Sequence, residues 1–265
     1  MDWNKLAYAD IQTTPLTTIN GNETNYLGLE IKNDKSEEEE WLPLDKPVTD
    51  NYLLVQNSEV LSIATQLVNE NNLTIDMDKQ KKMFNGRQFK LFLPLEDHLQ
   101  KEIQPGDTVR TGLVFQNSYD MSMSFGFSIY LERLLCSNGM TGISQFPFVK
   151  FRHTHKSADW MDEIFRTSSA LQATGTFNQV IDKLAEMTQI RVDYDWCVNN
   201  YKELMTDIPS NLADPIIRNF FQKGDDSMWA LMNAGTDIMW HKESGNQFAS
   251  IKHNGTFVNN LIGLV

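Results

Sequence analysis

The side chains able to do chemistry are few and widely spaced. His153 and His155 stand two apart, so a strand would project both imidazoles to one face, with Asp159 and Asp162 close behind. Imidazoles and carboxylates suit a zinc ion, but no third ligand stands at a convincing spacing, so the pair reads as solvated or hydrogen-bonding. Cys136 could act as a nucleophile if His153 approached it. A lone cysteine is far more often a small buried hydrophobe. Asp120, Asp159 and Asp162, joined by Asp193 or Asp195, could hold magnesium in a nuclease site, yet acids at helix starts are explained more simply by the helix dipole. These patterns assign no catalytic residue, no metal ligand and no cofactor.

A different chemistry is carried by Lys79, Lys81, Lys82, Arg87 and Lys90, which fall in one stretch without an acid. If Leu73, Ile75, Met77 and then Phe89, Leu91 and Leu93 face a core, strict alternation turns Lys82 and Lys90 outward, and likewise Arg110 and Tyr130 on the following strands. Lys150 and Arg152, on the strand running toward Phe151, extend the row. Cations beside exposed rings are what single-stranded nucleic acid needs: charges track phosphates and rings stack on bases. The competing reading is an ordinary solvated sheet face, shared with Asp76, Asp78 and Glu132.

The elements that would position these residues follow from periodicity. Val60, Leu61, Ala64, Leu67 and Val68 recur at helical spacing after a capping Asn57 or Ser58. Beyond them the period becomes two, with Asn85-Gly86 and Asn138-Gly139 as tight turns, which predicts an antiparallel meander of about five strands. The second half is helical. Ser157 caps one helix, Thr176 with Gln179 forms a capping box for the next, and further helices cover Asp193 to Met205, Asp214 to Gln222 with Pro215 in the first turn and Gly224 as terminator, and Ser227 to His241. Met228, Trp229, Leu231, Met232, Ile238 and Met239 read as a core face. The order of helix, strands and then helices is α+β. Residues 1–46 read as an extended arm with an acidic loop, and 47–265 as one domain, meander to about 156 and helical from about 157.

Composition narrows the function classes. The 265 residues carry a formal net charge of -12, against a protein that coats nucleic acid with its whole surface. Much of that charge lies between Glu30 and Asp50, including the Glu37–Glu40 run. Two cysteines without CxxC spacing argue for a reducing compartment, and the absence of an apolar run of about 20 residues argues against a membrane span. The start, MDWNKLAYAD, lacks the basic-then-apolar order of a signal peptide.

LVFQNSYDMSMSFGFSIYLERLLCSNGM, from Leu113 to Met140, followed by FRHT at Phe151–Thr154, resembles the signature of the phage/plasmid-like family known as domain of unknown function 932. TDNYLLVQNSEVL from Thr49 and MWALMNAGTDIMWH from Met228 are similar to two further stretches of that family. One departure is Met121, where members often have Gly. The family has no agreed activity, so the resemblance implies a context, mobile-element DNA metabolism in a bacterial cytoplasm, and no catalytic residues. The expectation is a non-enzymatic homo-oligomeric protein that binds or anneals single-stranded DNA. A protein-binding accessory or anti-defence factor is the alternative, and a metal-dependent nuclease the third.

Overall fold

The computed structural model describes residues 2–33, 36, 38–96, 100–133, 149–154, 174–242 and 246–265, without the side chains of Arg133 and of residues 174–180. Among the described residues, ten strands and six α-helices make the protein α+β, with the helices after the first gathered in the C-terminal half. Cys136, Asn138-Gly139, His155 and the expected helix at Ser157 with Asp159 and Asp162 lie outside the described residues.

The described residues form two antiparallel sheets. In the first, β1 (Ile11–Thr17), β2 (Glu23–Lys32) and β3 (Trp41–Pro43) lie in that order, and β4 (Val48–Thr49) also pairs with β2. The N-terminal stretch read as an arm thus carries three strands of this sheet. The second sheet has six strands in the order β10 (Val149–Phe151), β9 (Phe125–Arg133), β8 (Asp107–Ser118), β6 (Gln88–Pro94) and β5 (Lys81–Phe84), with β7 (Gln100–Gln104) also paired to β8. The short connections make the antiparallel order the natural one.

The chain gathers into two compact units. The first comprises Met1–Pro94, Leu113–Ser128 and Phe148–Gln172. It holds the first sheet, β5, β6 and α1 (Asn57–Glu70). Val60, Ile63, Ala64 and Leu67 of α1 are buried, whereas Leu61, expected in the core, is exposed and Ile63 takes its place. Gly126 has no room for a side chain: a Cβ there would stand 1.9 Å from the Val149 carbonyl oxygen, so glycine is what lets β10 close on β9.

The second unit comprises Leu95–Gly112, Ile129–Pro147 and Ala173–Val265. Its helices are α2 (Thr174–Met187), α3 (Tyr194–Leu204), α4 (Ser210–Lys223), α5 (Met228–Lys242) and α6 (Gln247–Gly263). Asp193 caps α3 by accepting from the Trp196 amide at 2.7 Å, and Gly224 ends α4 at φ 74°, both as the sequence implies. Helix α4 starts four residues earlier than expected, so Pro215 lies inside it and not in its first turn. The Met-rich α5 is core: Met228, Trp229, Leu231, Met232 and Met239 are all buried, and the Trp229 indole donates to the buried Asp107 carboxylate at 3.0 Å. Helix α6 packs against it. At Gly235 a Cβ would stand 2.1 Å from the Phe257 ring, so the bare backbone of α5 receives that ring directly.

Candidate functional site

The residues that carry the signature lock onto one another within the first unit. Asn117, at the end of β8, is fully buried and donates its amide to the Val55 carbonyl and to Asn57 Oδ1, both at 2.8 Å. Two residues on, the Tyr119 hydroxyl accepts from the Asn57 backbone amide at 2.9 Å. The Tyr52 hydroxyl donates to the Ser118 carbonyl. Asn57 is therefore occupied, and the cap of α1 is Gln56, closed as a capping box with Glu59 and tied to both backbone groups of Ile11. The sequence offered Asn57 or Ser58 because those types dominate at caps; tertiary contacts claim Asn57 instead.

The third signature segment joins the same lock. His153 and Leu53 exchange a pair of contacts, the Leu53 amide donating to the His153 carbonyl at 3.3 Å and His153 Nδ1 lying 3.0 Å from the Leu53 carbonyl. Since a carbonyl only accepts, Nδ1 carries the proton. The imidazole stacks on Tyr52 with centroids 4.8 Å apart, and its Nε2 is buried without a partner among the described residues. Burial lowers the His153 pKa, opposed by the Leu53 hydrogen bond. Burial likewise raises both Tyr52 and Tyr119 far above their usual range, so both remain protonated.

The His153 shift has a sign that can be measured. The unfolded chain takes up a proton near the ordinary value of about 6.5, while the folded ring resists it until lower pH. Folding stability is therefore complete above about pH 6.5 and is lost as pH falls from there to the depressed folded value. His153→Phe, which keeps a stacked ring, is expected to flatten this segment of the stability–pH curve in urea titrations. A variant as steep as the parent between pH 5 and 7 would place the titration elsewhere.

The turn after the lock is held by local bonds: Ser118 Oγ donates to the Met123 carbonyl at 2.8 Å, and Asp120 accepts from the Ser122 amide at 3.0 Å. Met121 sits at φ 61°, a region that favours glycine, which accounts for the residue type the resemblance leads one to expect there. The Tyr119 amide donates to the Arg87 carbonyl at 2.7 Å, joining this turn to the β5–β6 turn.

The row of six expected nucleic-acid contacts is not one row. Lys82 stands opposite Leu91 and Lys90 opposite Met83, so the two lysines project to opposite faces of the β5–β6 pair. Phe84 pairs with Phe89 across a four-residue turn, so partners on one face differ in parity and a single odd–even count cannot hold on both strands. Lys90 is half-buried, and burial lowers its pKa to about 8. Arg110 and Tyr130, expected on an outward face, are both buried. Arg110 Nε and Nη2 reach Glu132 Oε2 at 2.7 and 2.5 Å, and the Tyr130 ring lies over Gly112, where a Cβ would stand 2.3 Å away. Alternation fixes which face a strand residue takes, not whether that face is wet; β8 is buried on both faces along most of its length. Lys150 and Arg152 are exposed, on either side of buried Phe151.

Besides Lys150 and Arg152, the β5 edge remains at the surface. Lys81 and Lys82 are exposed there, and the Lys82 ammonium lies 4.9 Å from the centroid of the half-buried Tyr8 ring. Tyr8 is held edge-on against Phe89, and the turn Trp3–Leu6 runs alongside, Asn4 accepting from the Phe84 amide at 3.0 Å. Tyr8 is distant in sequence from the hairpin, and no local pattern announces it. Such an edge can contact a phosphate and offer an aromatic ring. Among the described residues no three His, Cys, Asp or Glu side chains gather to hold a metal ion, and no helix is long and apolar enough to cross a membrane.

The fold defines an α+β protein in which the signature residues Tyr52, Asn117, Tyr119 and His153 are spent on joining β8, β10 and the start of α1. The chain belongs to the family described as a domain of unknown function (DUF932), whose model matches residues 46–261. No curated protein and no solved structure matches it.

Proposed function

We propose that the protein is a non-enzymatic binder of single-stranded DNA, serving recombination or replication of a phage or plasmid in the bacterial cytoplasm, with the strand lying along the β5 edge. The observation that carries this reading is the exposed Lys82 ammonium over the Tyr8 ring, with Lys81 beside it. Cation and ring together supply phosphate contact and stacking surface, and annealing asks no more of a protein than to neutralise a strand and leave its bases free to pair. The net charge of -12 opposes approach from afar, but salt screens charges beyond about 8 Å at physiological ionic strength, so the local lysines decide contact.

The test is fluorescence anisotropy with a labelled oligothymidylate at rising salt. Affinity is expected to fall steeply with salt, and Lys82→Glu to weaken it at every salt concentration with a shallower salt slope. Tyr8→Ala is expected to cost about 1–3 kcal/mol if a base stacks there, in protein whose melting is checked separately because Tyr8 also packs on Phe89. No binding at low salt, or binding indifferent to Lys82→Glu, would remove this reading.

A second reading, a protein-binding accessory or anti-defence factor, is favoured by one observation: Tyr194, Val198 and Tyr201 form an exposed apolar stripe on α3.

A further inference from the structure

Helix α3 carries two apolar faces, and a monomer uses one of them. One is buried as expected: Cys197 and Leu204 pack into the helical core of the second unit. The other exposes Tyr194, Val198 and Tyr201 by 69, 55 and 43%, and half-buried Met205, which packs in part against the helical core, follows just beyond the helix end. The spacing of these four is four, three and four, the alternation of d and a positions along a coiled-coil seam. On that register the seam is flanked on one side by Cys197 and Leu204, already buried, and on the other by Asp195 and Lys202, both exposed.

We infer that this stripe is a self-association surface, on which α3 of a second copy of the chain packs antiparallel about a two-fold axis beside Val198. The charges choose the occupant and the direction. A two-fold axis beside Val198 brings position 195 against position 202 of the other copy, so Asp195 meets the partner's Lys202 and Lys202 meets the partner's Asp195. Like seam flanks face each other in an antiparallel pair. In a parallel pair each flank faces the opposite one, here Cys197 and Leu204, and the two charges find no counterpart. Antiparallel pairing also aligns the two helix dipoles favourably. The surface is small: eleven residues rise roughly 16 Å, less than a standard interface of about 1,200 Å² and more requires. The dimer is accordingly weak and concentration-dependent.

Sedimentation velocity of the full chain over a wide concentration range tests this. The parent is expected to move from monomer toward dimer as concentration rises. Val198→Glu sets two carboxylates together at the axis and is expected to weaken the dimer roughly tenfold or more. Asp195→Lys and Lys202→Asp each replace two attractions with two repulsions and weaken it too, whereas the double exchange Asp195→Lys/Lys202→Asp restores it. Recovery in the double exchange is a result that general damage to α3 would not produce, and it reads the proposal even if Val198→Glu fails to fold. A parent that stays monomeric throughout would overturn self-association and leave the stripe to a different protein. A dimer indifferent to Val198→Glu, or a double exchange without recovery, would overturn it equally.

Discussion

Asn117→Leu is expected to lower the stability of the protein by about 3 kcal/mol or more. The asparagine is fully buried, and its amide satisfies two acceptors at once, the Val55 carbonyl and Asn57 Oδ1. Leucine matches its bulk and removes both donors. Each acceptor then stays buried without water or protein to pair with, at about 1–3 kcal/mol apiece, on top of the net value of the lost hydrogen bonds. Urea unfolding followed by circular dichroism measures the change. The loss should exceed that of Tyr52→Phe, which frees only the Ser118 carbonyl from its side-chain bond. If Asn117→Leu unfolded within about 1 kcal/mol of the parent, the lock between β8 and the start of α1 would be no part of what stabilises the fold.

This lock also marks how far the sequence could be read. Local signals placed the elements they govern: the helical spacing of Val60, Ala64 and Leu67 gave α1, Asp193 and Gly224 marked the start of α3 and the end of α4, and Asn85-Gly86 fell at the β5–β6 turn, with Gly86 at φ 87°. Helix α6 (Gln247–Gly263) lies beyond the last helix that the periodicity announces, which ends at His241. Its core-facing Ile251, Phe257, Val258 and Leu261 are interspersed with Asn254 and Gly255, which are buried too, and that blurs the apolar stripe. The candidate site was less legible because it depends on non-local partners. Which face Lys82 shares is set by the β5–β6 register, in which it stands opposite Leu91, and its ring partner Tyr8 comes from the far N-terminus. The signature residues were visible as a pattern, but only their contacts show that Asn117, Tyr119 and His153 close the fold on Val55, Asn57 and Leu53.

Arg110 turns that difference between alternation and burial into an experiment. On an outward face, Arg110→Glu would leave the fold intact and touch only nucleic-acid binding. In the structure the guanidinium is 4% exposed and reaches Glu132 with two nitrogens at 2.7 and 2.5 Å, Glu132 itself being 25% exposed. Reversal of the charge there sets two carboxylates against each other inside the second unit. Breaking a buried pair costs about 3–5 kcal/mol, because the remaining charge keeps its desolvation penalty and loses its partner. Arg110→Glu is therefore expected to destabilise by at least that amount in urea titrations. Arg110→Met, which adds no like charge, should cost less. The exchanged pair Arg110→Glu/Glu132→Arg should recover part of the loss, since it rebuilds the attraction in a site shaped for the opposite arrangement. Single-stranded DNA binding by Arg110→Met, measured under conditions where that variant is folded, is expected to equal the parent's, because a guanidinium spent on Glu132 is not spent on phosphate. Unchanged stability in Arg110→Glu together with lost DNA binding would return Arg110 to the surface and restore the row of cations first read from the sequence.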